Sequence, residues 1–83
     1  MTTLDQLRAG QRATVTGLAG GDALVQRLLE FGLLEGETVE VIGFAPLGDP
    51  MEIRLGNARL SLRRQEAAGI AVEPQTGGGV VGS

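Results

Sequence analysis

Groups able to exchange a proton or attack a carbon near neutral pH are scarce in this chain. Histidine, cysteine and lysine are all absent. A base or nucleophile would therefore have to be Asp, Glu, Ser or Thr. The carboxylates are scattered, with Glu37 and Glu40 near a turn and on a strand and Asp49 in a loop, so no paired acid site is expected. Thiolate and imidazole, the ligands preferred by soft and borderline metals, are missing as well. Asp49 and Glu52 could make a weak oxygen site for a divalent ion, without the spacing of a calcium loop. Gly17-Leu18-Ala19-Gly20-Gly21 runs from a strand into a helix, as anion-cradling loops do. It lacks the following Gly-Lys-Ser/Thr, and Asp22 puts negative charge at the helix entrance, so a plain connection is expected.

The arginines are the remaining polar group of interest. Six acids and no base lie between Glu30 and Glu52, whereas Arg54, Arg59, Arg63 and Arg64 follow without an acid among them. Such segregation gives a polar surface with two poles, and it points to a partner where the poles fall on separate faces. Overall the net charge is −3, and Phe31 and Phe44 are the only aromatic residues. Acidity and the lack of an exposed aromatic platform speak against nucleic acid.

The elements that must position these groups are short. Leu4 and Leu7, with Thr3 able to cap them, predict a helical turn. Arg12 to Leu18 alternates weakly and predicts a first strand, with Ala13 and Val15 inward. Ala23 to Phe31 reads as an amphipathic helix whose stripe is Leu24, Val25, Leu28, Leu29 and Phe31. Gly32 fits the left-handed position past its end, Leu33 the contact with Leu28 expected of a Schellman cap, and Gly36 the third position of a type II turn. Glu37 to Phe44 is a second strand. Ile42 falls on its outward set, which requires a curl in the sheet or a covered outer face.

Met51 to Arg63 is the clearest hairpin, turning at Gly56-Asn57. Pairing outward from that turn sets Leu55 opposite Ala58, Ile53 opposite Leu60 and Met51 opposite Leu62, with all six on one face. The same register sets Arg54 against Arg59. They splay into solvent, reach an acid such as Glu40 on the neighbouring strand, or meet an acidic partner. Leu47, in a loop bounded by Pro46 and Pro50, has no periodic partner; it is either exposed for docking or folded back as a lid. Residues 64–68 predict a helical turn, and Ile70 to Val72 a closing strand. The expected organisation is one domain over 1–74 and a flexible Gly-rich tail over 75–83. Five strands and one helix, inserted between strands 1 and 2, indicate a mainly β, strongly bent five-stranded barrel whose closure hides its edges. Exposed Ile42 or Leu18 would allow self-association.

Arg27-Leu28-Leu29-Glu30-Phe31-Gly32-Leu33-Leu34-Glu35-Gly36 resembles the helix-to-strand corner of the FeoA family, small cytoplasmic proteins of bacterial ferrous-iron uptake. Ala45-Pro46-Leu47-Gly48-Asp49-Pro50 and Leu60-Ser61-Leu62-Arg63-Arg64-Gln65-Glu66-Ala67 are similar to that family's other signatures. Glu35 stands where the family commonly has proline. The resemblance implies an SH3-like barrel and a cytoplasmic, non-enzymatic accessory or regulatory role. It also implies contact with the cytoplasmic GTP-binding part of the membrane iron transporter, and family-level transition-metal binding. The suspected contact residues are Leu47, Asp49, Arg54, Arg59, Arg63 and Arg64. Gly32, Leu33 and Gly36 form the structural corner, and Gly56 and Asn57 the turn. No resident cofactor is expected. The alternative functions are a GTPase-activating factor using Arg63 or Arg64, and a nucleic-acid-binding small barrel.

Overall fold

The computed structural model describes residues 2–19 and 21–75. Apart from Gln75, the Gly-rich tail lies outside the described residues. In chain order the elements are β1 (Thr2–Thr3), a 3-10 turn (Leu4–Gln6), β2 (Arg12–Leu18), α1 (Asp22–Glu30), β3 (Thr38–Phe44), β4 (Met51–Leu55), β5 (Ala58–Leu62), α2 (Arg64–Ala67) and β6 (Ile70–Pro74).

The six strands form a single antiparallel sheet in the order β1-β6-β2-β3-β4-β5. This corrects the expected five-stranded, SH3-like closed barrel. The sheet is open, with β1 and β5 as its two ends, and α1 lies between β2 and β3. The sixth strand escapes a pattern search because two residues, Thr2 and Thr3, carry no alternation; they pair with Val72 and Ala71. Side-chain filling replaces hydrogen-bonded closure. The 3-10 turn touches both α2 and β6, and α2 touches β5. Leu4, Leu7 and Ala67 are buried where these pieces meet.

The core is aliphatic, and it follows the period-2 pattern where the pattern is clean. Val39 and Val41 of β3, Met51 and Ile53 of β4 and Leu60 and Leu62 of β5 are all buried. The hairpin register agrees with the pairing expected from Gly56-Asn57 at every step from Leu55–Ala58 to Met51–Leu62. Gly56 takes positive φ at +60° and Asn57 does not, the pattern of a type II′ turn, which matches strand twist. Ala58 itself is exposed and Leu55 half-buried, so the buried stripe begins one pair further in.

Two bulges bend the sheet. On β2 the register shifts between Val15 and Gly17, and on β3 between Val41 and Gly43. Ile42 is the extra residue of the second bulge, which accounts for its place on the outward set. One added residue resets side-chain parity, so Phe44 comes opposite Met51 and packs partly against the core. Ile42 and Leu18 are both half-buried, and Leu18 packs against the core, so neither is a free apolar face.

The helix stripe is narrower than its composition suggests. Leu28 is fully buried and Leu24 partly so, whereas Leu29 and Phe31 are 42% and 47% exposed. Leu24 and Leu28 are four apart and lie on one line of the helix; Leu29 is turned about 100° away from it. A helix lying on a sheet by a single ridge buries little more than that line.

Candidate functional site

Three surface features frame the suspected contact residues, and the first is the structural corner that closes α1. Leu33 N–H donates to Leu28 O at 3.0 Å and Gly32 N–H to Leu29 O at 3.0 Å, the two bonds of a Schellman cap. Leu28 and Leu33 are both fully buried. The type II turn follows, with Glu37 N–H donating to Leu34 O at 3.1 Å. Gly32 and Gly36 take φ of +92° and +93°. Gly36 N–H then donates to Val15 O at 2.7 Å and Val15 N–H to Glu37 O at 2.8 Å, which ties the corner to β2. Leu29, Phe31 and Leu34 stay half-exposed around it.

A methyl group at Gly32 or Gly36 would meet no atom within 4 Å. The penalty of Gly32→Ala or Gly36→Ala is therefore purely that of placing a Cβ at positive φ, about 1–2 kcal/mol each. Urea denaturation of the single variants measures it, and an unchanged midpoint in both contradicts the corner geometry.

The second feature is the loop between β3 and β4. Ala45 N–H donates to Pro50 O at 2.9 Å and closes the loop's neck. Gly48 N–H donates to Ala45 O at 2.7 Å, with Gly48 at φ +86°. Between them Leu47 projects outward at 96% exposure, so it is a knob and not a lid. The loop is held from the other side of the chain. Asp49 Oδ1 accepts the Arg64 backbone N–H at 3.0 Å, and Arg64 Nη1 donates to Gly48 O at 3.4 Å. Arg64 Nη2 donates to Asp5 O at 3.2 Å, and its guanidinium carbon lies 5.3 Å from the Phe44 ring centroid. The fold thus brings Leu47, Asp49 and Arg64 together. Arg63 stands beside them at the entry to α2, its N–H donating to Glu66 Oε1 at 3.0 Å.

The third feature is the outer face of β3, β4 and β5. Arg54 and Arg59 are directly opposed, yet each has its own carboxylate. Arg54 Nη1 is 3.7 Å from Glu40 Oε1, and Arg59 Nη1 is 3.7 Å from Glu52 Oε2. Arg54 reaches the neighbouring strand because Glu40 is its register partner there. The result is two adjacent arginines, each flanked by its own carboxylate. Each of these solvent-facing pairs contributes at most about 1 kcal/mol. Arg59 lies near the turn end of β5, whereas Arg63 and Arg64 follow its other end, so the four arginines are divided between the two ends of that strand.

Sequence reasoning missed two long-range contacts and an apolar rim. Arg27 Nη2 pairs with Glu66 Oε1 at 3.1 Å and ties α1 to α2. Phe44 supplies the ring under Arg64. Leu29, Phe31 and Leu34 form the apolar rim of the corner. The first two contacts join residues far apart in the chain, and nothing local signals them.

The FeoA domain profile matches residues 2–74 of this chain. The chain belongs to the FeoA family. A FeoA protein from Chlorobium tepidum, solved in solution, is 43% identical with a TM-score of 0.87, covering 92% of this chain and 72% of that one. The FeoA of Stenotrophomonas maltophilia, crystallised with zinc, is 31% identical with a TM-score of 0.77 and covers 88% of this chain and 91% of that one. In Porphyromonas gingivalis strain W83 a fusion protein of Fe(2+) transport protein A and the Fe(2+) transporter FeoB is 39% identical over 70 residues. Those residues are 84% of this chain and 8% of the relative, so the chain spans a small part of that protein.

A resident metal does not fit this FeoA domain's donor set. Among the described residues no three His, Cys, Asp or Glu side chains come together. Asp49 Oδ1 accepts the Arg64 N–H and Glu52 Oε2 faces Arg59, so each carboxylate has a partner of its own within the fold. Among the described residues no helix is long and apolar enough to cross a membrane.

Proposed function

We propose that this chain is a non-enzymatic accessory domain of ferrous-iron transport. It acts by protein contact with the cytoplasmic GTP-binding part of the membrane transporter. The observation that carries this reading is the relative in which a FeoA-like segment is continuous with a FeoB transporter. Covalent linkage raises the effective concentration of two modules to about the millimolar range, an arrangement suited to partners that must meet. The surface supports the same reading. Leu47 stands at 96% exposure on a loop closed by two internal backbone bonds, and a pre-ordered knob loses little entropy on docking.

Titration of the isolated transporter GTP-binding domain with this chain tests the reading. Leu47→Ala is expected to weaken binding by about tenfold, with thermal stability unchanged because the side chain packs on nothing. Equal affinity of both chains removes the loop from the interface, and no binding by the unsubstituted chain removes the function. GTP turnover in the same mixture separates docking from activation. For the arginine-finger alternative the Arg64 guanidinium is engaged by the Gly48 and Asp5 carbonyls, which leaves Arg63 as its candidate.

A further inference from the structure

We infer that Arg64 is the positioning residue of the 45–50 loop. It holds Leu47 in its docking geometry and so sets partner affinity without itself needing to touch the partner. The inference rests on the docking function proposed above. Its ground is what the loop leaves unsatisfied. The Ala45–Pro50 and Gly48–Ala45 bonds close the neck and the turn, but the Gly48 carbonyl and the Asp49 carboxylate face outward. Arg64 meets both, the first with its guanidinium and the second with its backbone N–H. That N–H lies in the first turn of α2, where helix geometry leaves donors without an internal acceptor. Asp49 therefore caps α2 from a distant loop while α2 anchors Asp49.

The guanidinium does more than supply charge. Its two terminal nitrogens reach carbonyls of different segments, Gly48 in the loop and Asp5 in the 3-10 turn, while its plane lies near the Phe44 ring. A planar fork can bridge and stack at once, and a lysine ammonium cannot. Leu47 makes no contact that would fix it, so beyond the two internal backbone bonds and the Asp49 bond this bridge is what holds the tip of the loop.

Substituting the side chain leaves the Asp49 bond in place, because that bond is to the backbone, and α2 keeps its cap. The experiment compares Arg64→Ala and Arg64→Lys with the unsubstituted chain in two measurements. In the free chain, amide hydrogen exchange at Gly48 is expected to quicken about tenfold in both variants. Arg27→Ala, which cuts the tie from α2 to α1, leaves that amide unchanged. Affinity for the transporter's GTP-binding domain is expected to fall about tenfold in both variants, and to fall no further in a Leu47→Ala background. Unchanged exchange at Gly48 overturns the positioning role. Quickened exchange with full affinity, or losses that add to those of Leu47→Ala, overturns the link to docking. If the unsubstituted chain does not bind, the docking half falls together with the proposed function, and exchange alone decides whether Arg64 holds the loop.

Discussion

Leu33→Ala is expected to remove about 3 kcal/mol of folding stability. Leu33 is fully buried and its N–H bonds to Leu28 O, so one residue both caps α1 and packs that cap on the sheet. Truncation leaves a cavity beneath the cap, and the Schellman bonds hold the backbone too firmly for it to collapse. For a domain of this size, total stability is about 4–12 kcal/mol, so the loss is a large share. Leu34→Ala is the control. Its side chain is 47% exposed, and the variant should lose less than about 1 kcal/mol. Urea midpoints at a common slope make the comparison, and equal losses at the two positions contradict the burial of Leu33.

Gly69→Ala is expected to destabilise by about 2–3 kcal/mol, lowering the melting temperature by roughly 10–20 °C. The cause is a close approach of two backbones. Ala19 N–H donates to Gly69 O at 2.6 Å, and a Cβ on Gly69 would be driven into the Ala19 carbonyl oxygen. Backbone cannot move aside as the end of a side chain can, so the junction between β2 and β6 must open. Gly17→Ala tests whether any added methyl nearby is harmful. Its Cβ would meet the Ala71 Cβ at an ordinary 3.9 Å, and its melting temperature should barely change. Thermal unfolding followed by far-ultraviolet circular dichroism reads both variants.

These two positions differ in how plainly the sequence announces them. Leu33 follows a glycine at the end of an apolar period, and the cap can be read from types and spacing alone. The hairpin is equally legible, because alternation on both sides of Gly56-Asn57 leaves a single register that buries the apolar set. Gly69 carries no such mark. Its role is set by Ala19, far away in sequence, and many glycines would look the same. The arginines show the same division. The opposition of Arg54 and Arg59 follows from the hairpin register, and their neutralisation by Glu40 and Glu52 follows from adjacent strands. Arg64 is opaque because two of its acceptors are main-chain oxygens, which every residue type possesses. Closure is illegible for a related reason. The 3-10 turn and α2 fill the gap between the sheet's ends, and short elements of that kind have too few residues to show a period. The helix stripe reads wider in sequence than it is, because Leu29 and Phe31 are apolar without facing the sheet.

The interior place of β6, one strand in from the β1 edge, governs when this domain can exist during its own synthesis. Among the described residues β6 is the last strand in sequence, yet it lies between β1 and β2 and pairs with both. The β3-β4-β5 meander can zip from its turns as it leaves the ribosome. Leu4, Leu7, Ala13 and Val15 must wait for Ile70 and Val72 to emerge before their cover is complete. Long-range pairing of this sort is slow to form, so this part of the core is assembled only once β6 has left the ribosome. A nascent chain stalled ahead of Ile70 presents an uncovered aliphatic surface, the kind of exposed patch on which chaperones and proteases act.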